Sequence, residues 1–111
     1  MFAVGCDIER VERFEERPAA FYAKIFTPNE IAYCERQFRP REHFAARFCA
    51  KEAVVKALGG LGIKGVHYKE IEIGRNGATT VAHLSGIRAS VSLSHAGAYA
   101  MATAMLRISP E

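Results

Sequence analysis

Apolar positions along this chain follow two rhythms. Up to about Leu58 they recur at helical spacing, and beyond the glycines that follow they recur at every second residue. The apolar run from Phe2 to Ile8 contains Asp7 and predicts a buried strand; Gly5 inside it points to a close backbone approach or a bulge. Ile8, Val11 and Phe14 are helically spaced, so Glu9 to Glu16 predicts a first helix, which Pro18 ends or from which it starts the next. Phe21, Ile25 and Phe26 fit a short helical turn. Thr27, Pro28 and Glu30 form a helix N-terminus signature, with Thr27 as cap and Glu30 three residues on. That helix is predicted to run from Pro28 to about Gln37. After Pro40 a long helix is predicted from about Arg41 to Leu58, stopped by Gly59, Gly60, Gly62 and Gly65.

The second half reads as strands. Tyr68 to Gly74 and Thr79 to Leu84 are joined by Arg75-Asn76-Gly77, a strong hairpin turn. Ser90 to His95 alternates, with Val91, Leu93 and His95 on one face and Ser90, Ser92 and Ser94 on the other. From Tyr99 to Ile108 alanines alternate with larger residues, so Ala98, Ala100, Ala102 and Ala104 leave room for close packing. Ala96-Gly97 is the turn between these last strands. The class is α+β: N-terminal strand and helices packed on an antiparallel sheet that recruits the first strand. No repeat, linker or low-complexity tract interrupts residues 1–111, so a single domain is expected.

Composition narrows the setting. With 50% hydrophobic and 24% charged residues, the chain is of the ordinary globular kind. At 111 residues its core is modest, and oligomerisation would help it. Three widely spaced cysteines, Cys6, Cys34 and Cys49, do not suit a disulfide framework or a zinc site; small buried thiols in a cytoplasmic protein are expected. Met1 to Cys6 is too short for a signal sequence, and the longest apolar run, Ala96 to Leu106, is far below membrane-spanning length. Net charge is only +3, yet seven of the ten arginines fall at or before Arg47. Glu9, Glu12, Glu15 and Glu16 interleave with the first of them, which suits a mixed-charge surface. The sharper reading is a basic face for an acidic protein or a phosphate ligand.

Two carboxylates stand in apolar surroundings. Asp7 ends the predicted first strand, and Glu52 lies in the long helix with Lys56 one turn later and Phe48 one turn earlier on the same face. Oxygen ligands from separate elements, with no paired cysteine or histidine, suit magnesium, whose shell substrate phosphates often complete. Lys56 and Arg47 would then be phosphate neighbours. The plainer alternative has Asp7 capping the first helix and Glu52–Lys56 as a surface pair worth a few tenths of a kcal/mol. His95 closes a strand on its apolar side, where a histidine is commonly a packed residue and a role at the sheet edge is the sharper alternative. No nucleophile triad, P-loop or dinucleotide-binding glycine pattern is present.

Three segments in order resemble the holo-acyl-carrier-protein synthases, the small stand-alone 4′-phosphopantetheinyl transferases. They are Gly5-Cys6-Asp7-Ile8 followed by Arg13, the run from Arg47 to Gly59, and Ser92-Leu93-Ser94-His95. Phe26 to Glu30 and Tyr68 to Ile73 also look like the family. The resemblance implies transfer of the phosphopantetheine arm of coenzyme A to a serine of apo-acyl carrier protein, releasing adenosine 3′,5′-bisphosphate. It implies magnesium on Asp7 and Glu52, with these two and Lys56 as the catalytic set. Arg47, Lys56, Gly59, Gly60, Gly62 and His95 would line the coenzyme A site. Arg13 falls where the family grips the acidic helix of the carrier protein. A homotrimer with its site between protomers is implied, within fatty acid biosynthesis, and neither nucleic acid nor membrane as a partner. Ala96 departs from the family, which commonly has threonine or another polar residue after the histidine. So do the short segment from Leu84 to Ser90 and Ala78-Thr79 in place of the usual proline. The competing classes are a basic phosphate- or nucleic-acid-binding module and another magnesium-dependent phosphohydrolase.

Overall fold

A computed structural model of the chain describes residues 1–74, 79–81 and 87–108. Strand β1 (Phe2–Arg10) is followed by a 3-10 turn (Val11–Phe14), then helices α1 (Ala19–Ile25), α2 (Pro28–Glu35) and α3 (Pro40–Gly60). A second 3-10 turn (Tyr68–Glu70) leads into β2 (Ile71–Ile73), β3 (Thr79–Val81), β4 (Ile87–Ala96) and β5 (Tyr99–Ile108). The expected α+β arrangement holds, and the first strand does join the last two: the order is β1-β5-β4, all antiparallel. Tyr68 to Gly74 is not one strand. It starts as a 3-10 turn, and its β2 pairs only with β3 in a separate two-stranded sheet. The predicted hairpin turn at Arg75-Asn76-Gly77 and the strand end at Leu84 lie outside the described residues.

Small residues set the distance between helix α3 and the three-stranded sheet. Ala100, Ala102 and Ala104 of β5 are buried against it, and α3 answers with Cys49, Ala50, Ala53 and Ala57, none more than 1% exposed. Gly5 on β1 sits opposite Ala104. A Cβ there would lie 2.1 Å from the Ala53 carbonyl oxygen and 2.8 Å from the Ala57 amide nitrogen, so the close approach read from the sequence is real and admits only glycine. Phe14, Phe21, Tyr22, Phe26, Phe44 and Phe48 fill the other end of α3 with a chain of ring contacts.

Several expected boundaries move, each for a tertiary reason. Pairing with β5 carries β1 to Arg10, so the first helix shrinks to a single 3-10 turn. The strand is also not buried on both sides: Phe2, Val4 and Ile8 point outward and are 62%, 65% and 61% exposed. Helix α3 starts at Pro40 and continues through Gly59 and Gly60 instead of stopping at Leu58. The carbonyl of Leu58 still accepts from the amides of Leu61 and Ile63, and the positive φ needed for the turn falls on Gly62 and Gly65. The α2 capping box forms as read, with the Thr27 amide donating to Glu30 Oε1 at 2.8 Å. Cys34 and Cys49 are buried as expected and burial pushes both thiols up to about 12, whereas Cys6 is exposed. Among the described residues no helix is long and apolar enough to cross a membrane.

Candidate active site

Alternation along β1 turns Gly5, Asp7 and Glu9 toward α3. Asp7 Oδ1 accepts from Lys56 Nζ at 3.0 Å, and the same ammonium donates to the Cys6 carbonyl at 3.1 Å. The hydrogen bond to Asp7 is the main reason the Lys56 amine is held above its ordinary range. The Asp7 side chain is only 10% exposed, and its second oxygen, Oδ2, is buried with no hydrogen-bond partner in the protein. Such an atom costs stability unless something binds it. Neither plain alternative from the sequence holds. Asp7 caps no helix, since the 3-10 turn is capped at Arg10 without a side-chain bond. Lys56 turns away from an i,i+4 pairing with Glu52 and pairs with Asp7 instead.

Glu52 lies one turn before Lys56 on α3. Its Oε1 accepts a hydrogen bond from the hydroxyl of Tyr68, which the 3-10 turn brings over the helix. Both carboxylates act electrostatically on both Lys56 and Tyr68, so Asp7 and Glu52 face a common space. Burial, then Glu52, raises the Tyr68 phenol to about 12, which keeps it a donor. Glu9 was not singled out from the sequence, yet it is the next inward residue of β1. Burial first, then its hydrogen bond with the neighbouring Asp7 carboxylate, raises the Glu9 pKa and makes it a weaker acid, while Arg13 opposes this. Arg13 bonds Glu9 at 2.8 Å and lays its guanidinium over the Phe48 ring at 4.9 Å, so it stands at the rim of the same space.

The remaining predicted residues are elsewhere. Arg47 is nine residues before Lys56, about 180° around the helix, so the two are not neighbours within one chain, contrary to the sequence reading. Arg47 is buried, with its guanidinium 4.1 Å from the centre of the Tyr33 ring and its Nε without a partner. It lines a cavity of about 350 Å³ with Tyr33, His43, Ser92 and His95. Burial and the Arg47 charge push the His43 imidazole down. His95 sits in register with Ala100 of β5, which pairs with Glu9 of β1. Two strand spacings, about 10 Å, therefore separate the His95 edge of the sheet from the Asp7 edge. Gly59, Gly60 and Gly62 are exposed past Lys56, and a Cβ on any of them would meet nothing.

Missed altogether from the sequence was Lys51. It is fully buried, bonded to Glu30 Oε1 at 2.7 Å and to the carbonyls of Tyr68 and Ile71. The only signal was a lysine beside Glu52 on the wrong helical face for solvent.

Among the described residues no three histidine, cysteine, aspartate or glutamate side chains converge into a metal cage. Two oxygen-donor carboxylates and one orphaned carboxylate oxygen fit a cation that keeps most of its shell for waters and substrate, as magnesium does.

Residues 3–104 match the family model described as the 4′-phosphopantetheinyl transferase superfamily. A protein of Moorella thermoacetica named holo-[acyl-carrier-protein] synthase is 42% identical over 124 aligned positions, covering 98% of this chain and 96% of that protein. A Chronobacterium ammoniagenes structure described as an ACPS–CoA complex superposes with a TM-score of 0.78 at 27% identity, over 99% of each chain. A holo-(acyl-carrier-protein) synthase of Bacillus anthracis in complex with CoA (3′,5′-ADP) gives 0.76 at 29% identity, over 97% of this chain and 96% of that one.

Proposed function

This chain belongs to the 4′-phosphopantetheinyl transferase superfamily, and from that premise we propose that it is a holo-[acyl-carrier-protein] synthase. It transfers the 4′-phosphopantetheine group of coenzyme A to a serine of apo-acyl carrier protein. The serine oxygen bonds to the pantetheine phosphorus, the pyrophosphate P–O bond breaks, and adenosine 3′,5′-bisphosphate leaves with the bonding pair. Residues 1–111 act as one domain.

The observation that carries this reading is Asp7 Oδ2, buried without a partner beside Lys56 and facing the space it shares with Glu52. Asp7 and Glu52 are the residues that would hold magnesium, which when bound supplies neutralisation of pyrophosphate charge. The reaction asks for positioning and charge compensation more than for an enzyme nucleophile, and the attacking hydroxyl comes from the carrier. Lys56, with its raised amine, is a fixed positive charge for the leaving oxygen. Glu52 would take up the serine proton by way of a water between them. Arg13 meets the acidic carrier, and Arg47, Gly59, Gly60, Gly62 and His95 hold coenzyme A. The basic binding module and the phosphohydrolase have no observation that favours them over this.

A homotrimer accounts for the split between the two flanks of α3. Asp7, Glu52 and Lys56 lie on one side and the Arg47–His95 cavity on the other, so one chain does not surround a ligand with both. Packing copies side to side would join one chain's flank to its neighbour's. The outer sheet face offers the apolar surface, with Phe2, Val4 and Ile8 of β1 beside Met101 and Met105 of β5. The enzyme works in the cytoplasm, in fatty acid biosynthesis.

Incubation with coenzyme A, magnesium and apo-acyl carrier protein is expected to raise the carrier's mass by one phosphopantetheine. No gain with several apo carriers would sink the activity. Sedimentation is expected to show a trimer that Ile8→Glu reduces to smaller species; a parental monomer would remove the shared site.

A further inference from the structure

Nothing in the transfer reaction as described requires Tyr68, yet its placement is among the most heavily supported in the molecule. Its ring packs against Phe48 with centroids 5.4 Å apart and the planes tilted by 60°. Its carbonyl accepts from Lys51 Nζ at 2.8 Å, and Lys51 is clamped in turn by Glu30 at 2.7 Å. Glu30 also takes the Ile73 amide at 2.8 Å, so both ends of the segment from Tyr68 to Ile73 are tied to one buried ion pair. That anchoring brings the Tyr68 hydroxyl to Glu52. Among the described residues it is the only hydrogen-bond donor to the Glu52 side chain.

We propose that Tyr68 is a positioning residue for Glu52. Its hydroxyl holds Oε1 so that the carboxylate is set toward the space shared with Asp7 before any ligand arrives. This inference rests on the proposed metal-holding role of Glu52. A carboxylate on a long side chain has several rotamers; a fixed donor on one oxygen removes most of them and leaves the second oxygen for a cation. The buried Glu30–Lys51 pair is then the anchor of an active-site support, and the chain of contacts runs from the core through Tyr68 to the carboxylate.

The test compares the parent with Tyr68→Phe, which keeps the ring on Phe48 and removes only the donor. Mn2+ binding is measured by electron paramagnetic resonance on the protein saturated with coenzyme A, without any carrier. Tyr68→Phe is expected to weaken Mn2+ about 10-fold, in the range usual for groups that orient metal ligands. The metal concentration for half-maximal transfer is expected to rise similarly, with kcat at saturating metal largely recovered and the melting temperature unchanged. Parental Mn2+ affinity in Tyr68→Phe would overturn the positioning role. Parental affinity in Glu52→Gln as well would overturn the metal role beneath it. Weakened Mn2+ in Tyr68→Phe alongside no transfer to any carrier would leave the positioning role standing and sink the activity.

Discussion

Helix α3 supplies the lysine of two lysine–carboxylate pairs that differ in almost every physical respect. Lys51 and Glu30 are essentially inaccessible to solvent, at 0% and 1% side-chain exposure. Their polar atoms are consumed by one another, by the carbonyls of Tyr68 and Ile71, and by the amides of Thr27 and Ile73. Lys56, five residues further along the helix, pairs with Asp7 of β1 at a similar 3.0 Å, but Lys56 is half exposed and Asp7 Oδ2 has no hydrogen-bond partner. A closed network has no capacity left for chemistry; it can only hold elements together. The open one costs stability in the empty protein and gains it back when something cationic binds. Satisfaction of the polar atoms, more than the presence of charge, separates scaffold from site.

The largest expected effect comes from breaking the closed pair. Lys51→Met leaves Glu30 buried and charged with no counter-ion, which should destabilise the fold by about 3–5 kcal/mol. Chemical denaturation would read this directly, and a loss below about 1 kcal/mol would mean that the pair is dispensable. Lys56→Met should do the reverse. Stability should fall by less than in Lys51→Met, because water reaches the pair from the half-exposed lysine side although Asp7 itself is only 10% exposed, while transfer to the carrier falls about 100-fold, in line with losing one group that stabilises developing charge. Equal damage to folding in both variants would erase the distinction drawn between the two pairs.

A smaller effect lies in alkaline solution and belongs to the buried side. The thiols of Cys34 and Cys49 have folded values raised from 9.0 to about 12, so the unfolded chain loses those protons first. Their contribution to stability is whole below about pH 9 and falls as pH climbs toward 12. Lys51 works the other way. Burial lowers its amine below the ordinary 10.5, so the unfolded chain holds more protons between the two values and stability rises with pH there. The two thiols, joined above about pH 10 by the raised Tyr68 phenol and Lys56 amine, give a net fall against the one lowered amine, and denaturation midpoints from pH 7 to 11 should show it. Cys34→Ala with Cys49→Ala should make the fall between pH 9 and 10 shallower, where the thiols act before Tyr68 and Lys56; an unchanged slope there would assign it to other groups.

Much of the fold was legible because its rules are local. The Thr27–Glu30 box, the alternation through β4 and β5, the turn at Gly97 and the contact at Gly5 each need only neighbouring residues and a period. Errors arose where a partner distant in sequence outvoted local pattern. Pairing with β5 extended β1 through residues that would suit a helix. Phe2, Val4 and Ile8 look like core in a linear reading, and only the side that α3 occupies shows that they face outward.

For the site, the sequence by itself determined which groups are available: two carboxylates and a lysine set in apolar runs, matching an ordered family pattern. Tertiary structure decided their partners. Lys56 had a carboxylate one helical turn away in Glu52 and chose Asp7, 49 residues distant. Lys51 reached Glu30 across 21 residues, and Tyr68 reached Glu52 across 16. Burial drives those choices. A charge removed from water must find its complement wherever the packed chain presents one, and spacing along the sequence carries no record of where that is.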